Sequence, residues 1–372
     1  AIQPNVQFPV KVTLTPGALR TDPQGAYYLF ADSGVSGVAW DWKEGYWKIA
    51  LTSGRFAWAS HTAVKNPVKL TARDWPVIWK VDVCDSGKWV EVILPLKERI
   101  LYRMTDDPAL TRLTCDLFGV TSHIDQMNFQ PGTELVRQLT WDQPGESWLR
   151  LEISLNKPCW GYKTSFRDGN FIISLRKPLD FKRRAEPLII ALDAGHGGEL
   201  EGALGPTRLK EKDVNLSCAI ALEKLLVKKG FSVLMLRGND VSIPLNQRVS
   251  GASTGEADIL ISIHHNALPD GVNPFGEWGV GTRFYYPHSR GLAEAVQTAL
   301  VKELQIFDEG VYYHNLALVR PTTMPAILIE AGYIMLPEQE AVMKREDYPD
   351  RLAGAIYSGL KRFLQEYEVN QR

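Results

Sequence analysis

The sequence predicts an α/β domain with a mainly parallel sheet flanked by helices, preceded by mainly-β N-terminal domains. Three observations predict it. Ten of the eleven tryptophans precede residue 187, whereas five of the seven histidines follow it. The first part consists of short alternating runs broken by Gly, Pro and Asp, the pattern of half-buried strands joined by turns. The second part alternates continuous apolar runs with helix-period segments, which argues for parallel strands joined by crossover helices.

In the first part the strand-like runs are "AYYLFAD", "GYWKIAL", "RFAWAS", "WVEVILP", "WLRLEISL" and "NFIISLRK". The change of character falls at "FKRRAEP", residues 181–187. Beyond it, "PLIIALDAG" reads as a buried strand. "DVNLSCAIALEKLLVKKG" reads as a helix over 213–229, with Asp213 as its cap, lysines in its last turn and Gly230 as its stop. Further strands are expected at "FSVLMLR", "DILISIHHN", "GTRFYYP" and "PAILIEAGY". Helices are expected at "PLNQRVSGASTGEA", "SRGLAEAVQTALVKEL" and "YPDRLAGAIYSGLKRFLQEY".

Composition narrows the function classes. A chain of 372 residues with 45% hydrophobic and 23% charged residues is ordinary for a globular protein of two or three domains. A net charge of −1 gives no global reason to expect nucleic acid. No apolar run approaches the roughly 18 residues of a membrane span. No signal peptide is visible, and the sequence opens on Ala1 without Met, which a trimmed leader or an artificial start point would both explain. Cys84, Cys115, Cys159 and Cys218 lack CxxC spacing and read as small buried hydrophobes. A Cys84–Cys115 or Cys115–Cys159 disulfide is the alternative.

The chemistry gathers at strand ends. In open parallel sheets, ligands and reactive groups collect outside the carboxyl ends of the strands. One expected strand leads into His196, another ends in His264 and His265, and a third ends in Glu330. Glu211 precedes a helix that follows a strand, so it lies at the same edge. Two imidazoles, one carboxylate and an open position make a zinc site of the hydrolytic type. His196, Glu211 and His264 would be the ligands, and Glu330 a general base off the metal. Only one of His264 and His265 can face the site, because neighbouring strand side chains point oppositely.

At these residues the chain resembles the zinc-dependent N-acetylmuramoyl-L-alanine amidases of the type 3 cell-wall group. The matching stretches are "LDAGHGG", "EKDVNL", "VLMLR", "LNQRV", "DILISIHHNA", "GTRFYY" and "PAILIEAGY", over residues 187–368. The resemblance implies Zn2+ held by His196, Glu211 and His264, with Glu330 catalytic. It implies hydrolysis of the amide between N-acetylmuramic acid and L-alanine of the stem peptide. Peptidoglycan is then the partner, and the location is the cell envelope, periplasmic or secreted. Two departures stand out: His265 where the family has Ala, and "EAGY" in place of Glu-Thr-Gly-Phe. Some relatives carry an inhibitory helix after the third ligand, where this chain has only "NALPDGVNPFGEWGV".

Arg237 and Arg248 are expected to touch substrate carboxylates, to lie at the sheet edge or to form structural ion pairs. The front of the chain is similar to an SH3-like module over 1–66 and to an AMIN-like domain over 67–185, with the catalytic domain over 186–372. Both front modules would position the enzyme on the wall, and a monomer is expected. Two rivals remain: a zinc carboxypeptidase-like peptidase, which uses the same His, Glu, His set, and a wall-binding protein without activity.

Overall fold

The computed structural model describes residues 10–370, apart from 15–16, 70–74, 110, 181–185, 270, 274–275 and 277. The expected domain boundary at 185, most of "FKRRAEP" and four positions of "NALPDGVNPFGEWGV" lie outside the described residues. The chain forms two compact units, residues 1–177 and 178–372.

The first unit is built of strands. The first seven are β1 (Val10–Leu14), β2 (Gly17–Arg20), β3 (Tyr27–Ala31), β4 (Ser36–Lys43), β5 (Tyr46–Thr52), β6 (Arg55–Ser60) and β7 (Val64–Lys69). They form one antiparallel sheet in the order β3-β2-β6-β5-β4-β1-β7. The turn from β4 to β5 needs two residues with positive φ, and Glu44 (51°) and Gly45 (82°) supply them. Alternation turns Val12, Leu14, Ile49 and Leu51 into a shared core.

The rest of the unit comprises β8 (Val77–Ser86), β9 (Trp89–Pro95), β10 (Leu101–Asp106), β11 (Arg112–Phe118), β12 (Thr121–Phe129), β13 (Val136–Gly145), β14 (Trp148–Leu155), β15 (Gly161–Arg167) and β16 (Asn170–Arg176). A four-stranded sheet, β10-β11-β14-β13, and a five-stranded sheet, β12-β8-β9-β16-β15, share one core. Val81, Val83, Val92 and Leu94 come from one sheet, and Leu113, Leu117, Leu151 and Ile153 from the other. Of the tryptophans, Trp47, Trp148 and Trp160 are buried, whereas Trp40, Trp79 and Trp141 are exposed. All four cysteines of the chain are free thiols.

The second unit carries a six-stranded sheet in which β17 (Ile189–Ala194), β18 (Ser232–Met235), β19 (Ile259–Asn266) and β22 (Ala326–Tyr333) run parallel. Next to β22, β20 (Val280–Phe284) runs antiparallel, and β21 (Asp308–Tyr313) continues parallel to β20. The order is β18-β17-β19-β22-β20-β21, a mainly parallel sheet with a reversed edge pair.

Strand parity sorts the helices. Ala191, Leu260 and Ala326 are register partners on one face, where they pack with Ala252 of α2 (Leu245–Thr254). The other face meets α1 (Glu211–Lys228) and α5 (Tyr348–Asn370), and α3 (Arg290–Leu304) packs on α5. A short α4 (Pro337–Met343) follows β22.

Helix α1 begins two residues earlier than its apolar period suggests. Asp213 therefore sits in the first turn rather than capping it, and Lys210 holds the cap position with no side-chain cap bond. The end of α1 is as expected. Gly230, at φ 88°, donates to Val227 O, and Phe231 donates to Leu226 O, closing the last turn. No helix among the described residues is long and apolar enough to cross a membrane.

Candidate metal centre

The carboxyl edge of the parallel strands brings His196, Glu211, His264 and Glu330 together. Just past β17 the chain turns through "AGHGG", and His196 there adopts a left-handed φ of 63°. Such a backbone costs of order 1 kcal/mol for a residue with a Cβ and persists only where its surroundings enforce it. Gly195 is required for a different reason: a Cβ at that position would run into the His264 ring.

Glu211 is the first residue of α1 and is 4% exposed. Its Oε2 lies 3.0 Å from His196 Nε2, and its Oε1 lies 3.0 Å from His264 Nδ1. Three N–H donors complete its shell: Ala203 N to Oε2 at 2.9 Å, and Asn215 Nδ2 and His265 N to Oε1, each at 3.1 Å. Burial opposes the charged form, but the hydrogen bonds from His196 and His264 outweigh it and hold this carboxyl well below the usual range. Burial likewise works against a charged His264, yet the bond to Glu211 and the nearby Glu330 charge raise its pKa.

One ligand atom from each of His196, Glu211 and His264 lies within 4.8 Å of the others. Two imidazole nitrogens and one ionised carboxylate are a donor set suited to zinc, with room left in its coordination for water. The residues present therefore fit a hydrolytic zinc ion.

Glu330 is the register partner of His264 across β19 and β22. The strand continues past Glu330 through Ala331–Tyr333, so it spans the expected "PAILIEAGY" rather than ending at the carboxylate. Burial raises the Glu330 carboxyl to about 6, and the Glu211 charge adds to the rise.

His265 turns to the opposite face, as alternation requires. It is 1% exposed, with Nδ1 at 2.7 Å from Asn215 Oδ1 and Nε2 at 2.8 Å from the Tyr348 hydroxyl. Burial pushes this imidazole down to about 4, so it stays neutral. Asn215 thus joins His265 to Glu211. The sequence reading passed over Asn215, although its i+4 spacing from Glu211 along α1 was the available signal.

Arg237 and Arg248 lie at the sheet edge, as one of the expectations had it, but are buried there. They are 2% and 3% exposed, and both donate to backbone carbonyls of the His196 turn. Arg248 Nη2 reaches His196 O at 2.6 Å, and its Nη1 pairs with Asp193 at 2.8 Å, so one of the expected structural ion pairs is present. Asp193 also accepts from Ser262 Oγ at 2.6 Å.

The second unit is similar to known proteins. The family model for N-acetylmuramoyl-L-alanine amidase, Amidase_3, matches residues 190–362. The germination-specific N-acetylmuramoyl-L-alanine amidase of Bacillus subtilis is 32% identical over 196 residues, covering 48% of this chain and 80% of that protein. The probable cell wall amidase LytH of Staphylococcus aureus is 34% identical over 220 residues, covering 58% of this chain and 70% of that protein. Among solved structures, the N-acetylmuramoyl-L-alanine amidase from Clostridium difficile 630 is 34% identical, with a TM-score of 0.46, over 49% of this chain and 98% of that one.

Proposed function

Because the chain belongs to the N-acetylmuramoyl-L-alanine amidase family of peptidoglycan hydrolases, we propose that it cleaves the amide between N-acetylmuramic acid and L-alanine with zinc-activated water. The observation that carries this reading is the grouping of His196, Glu211 and His264 ligand atoms within 4.8 Å, with Glu330 in register beside His264. When bound, zinc supplies Lewis acidity that polarises the scissile carbonyl and lowers the pKa of a water toward about 7.

The remaining work falls to side chains. Glu330 takes the water proton onto a carboxylate oxygen and returns it to the departing L-alanine nitrogen. A carboxyl raised to about 6 suits both halves of that transfer near neutral pH. Glu211 stays ionised, and its three N–H donors fix which oxygen faces His196 and which faces His264. His265 stays neutral on the far face and leaves the metal to His264.

The substrate puts the protein in the cell envelope, as a periplasmic or secreted enzyme acting as a monomer. In this reading residues 186–372 are the catalytic domain. The β-rich front, read as an SH3-like module over 1–66 and an AMIN-like domain over 67–185, positions it on the wall.

Digestion of purified wall with the full chain, with and without a chelator, tests the proposal. New L-alanine amino termini that depend on zinc are expected. Release of C-terminal amino acids alone would indicate the carboxypeptidase-like rival, and no release would leave a wall-binding protein without activity.

A further inference from the structure

Resting on the metal reading above, we propose that Arg237 is a positioning residue that sets the separation of His196 and Glu211. A single nitrogen, Arg237 Nη2, donates to Gly195 O at 2.9 Å and to Lys212 O at 2.8 Å. Gly195 adjoins His196 and Lys212 adjoins Glu211, so one guanidinium ties together the two backbone segments that carry these ligands. Its Nε donates to Ala194 O at 2.7 Å, which fixes the plane of the fork.

The segment 194–196 leaves the sheet here, and its carbonyls need other donors. Arg237 and Arg248 supply them: Ala194 O accepts from both, Gly195 O from Arg237 and His196 O from Arg248. The left-handed His196 is thereby held from the carbonyl side.

The two arginines differ in charge pairing. Arg248 is neutralised by Asp193, whereas Arg237 has no ion-pair partner among the described residues and gives its donors to carbonyl oxygens. A buried positive charge one residue from two ligands works against holding a cation. What Arg237 contributes is therefore geometric. Lysine would keep the charge but could not reproduce the planar fork that spans both segments.

The test uses the full chain. Zn2+ affinity is measured by competition with a chromophoric chelator, Co2+ binding by its visible absorption, and Tm alongside. Arg237→Lys is expected to weaken Zn2+ binding by roughly 10–100-fold and to shift the Co2+ bands. Leu222→Ala, which opens the α1 core, is the control: Tm falls while the affinity and Co2+ spectrum of the folded protein stay as in the unmutated chain.

Unmutated Zn2+ affinity and Co2+ bands in Arg237→Lys would overturn the proposal. Recovery of that variant only as unfolded chain would also overturn it, because the residue would then serve the fold. If the unmutated chain takes up no zinc, the metal reading falls, and this proposal falls with it. If the unmutated chain and Arg237→Lys bind zinc equally, only the positioning role fails.

Discussion

His264 and Glu330 face one another as register partners on the adjacent parallel strands β19 and β22. The pairing sets an imidazole of the proposed ligand group beside a carboxylate that lies outside that group. Glu330→Gln keeps shape and burial but removes the proton acceptor. It is expected to retain zinc by elemental analysis and to lose about 100- to 10,000-fold in turnover on purified wall. A variant with normal turnover would remove Glu330 from the chemistry.

In the proposed reading the neighbouring histidines divide into a ligand and a support. His264 shares the ligand group with His196 and Glu211, whereas His265 is bonded to Asn215 and Tyr348 on the other face. His264→Ala should lose the metal. His265→Ala should keep most of it but lose about 1–3 kcal/mol of stability, because buried partners are left unpaired. Metal content and urea unfolding of both variants distinguish the roles, and the reverse pattern of metal loss would exchange the assignments.

Gly195 offers a steric test of the same centre. A Cβ there overlaps the His264 ring, so the ring must move if the chain is to fold. Gly195→Ala is expected to fold and to bind Zn2+ at least roughly tenfold more weakly. Unchanged affinity in a chelator titration would mean that His264 has freedom to spare.

What was legible in the chain follows from what governs each element. The strands of β5, β9 and β14 stand out because one face is buried and alternation is enforced. The apolar runs of β17, β19 and β22 stand out because both faces are covered. By contrast, β21 has no fully buried residue, and "DEGVYY" carries no apolar alternation. Helix α4 is too short for a periodic signal. The early start of α1 was hidden because Glu211 is anchored by tertiary bonds from Ala203, His196 and His264 rather than by a local cap. The contacts of Arg237 and Arg248 were hidden for a related reason: their partners are mainly backbone carbonyls, which a side-chain pattern does not reveal.

His265 also gives the fold a defined response to acid. Burial holds its imidazole at about 4, below its ordinary value of 6.5. Between those values the unfolded chain binds the proton and the folded chain does not, so stability falls as pH falls. The contribution is fully present above about pH 6.5 and is lost toward about pH 4. A gap of this size corresponds to about 3 kcal/mol. Urea unfolding of the metal-free protein from about pH 8 to about pH 4 should show it. His265→Ala starts less stable at the high end but declines less steeply, so the two curves converge as the solution is acidified. Parallel curves would mean that His265 is not held neutral by the fold.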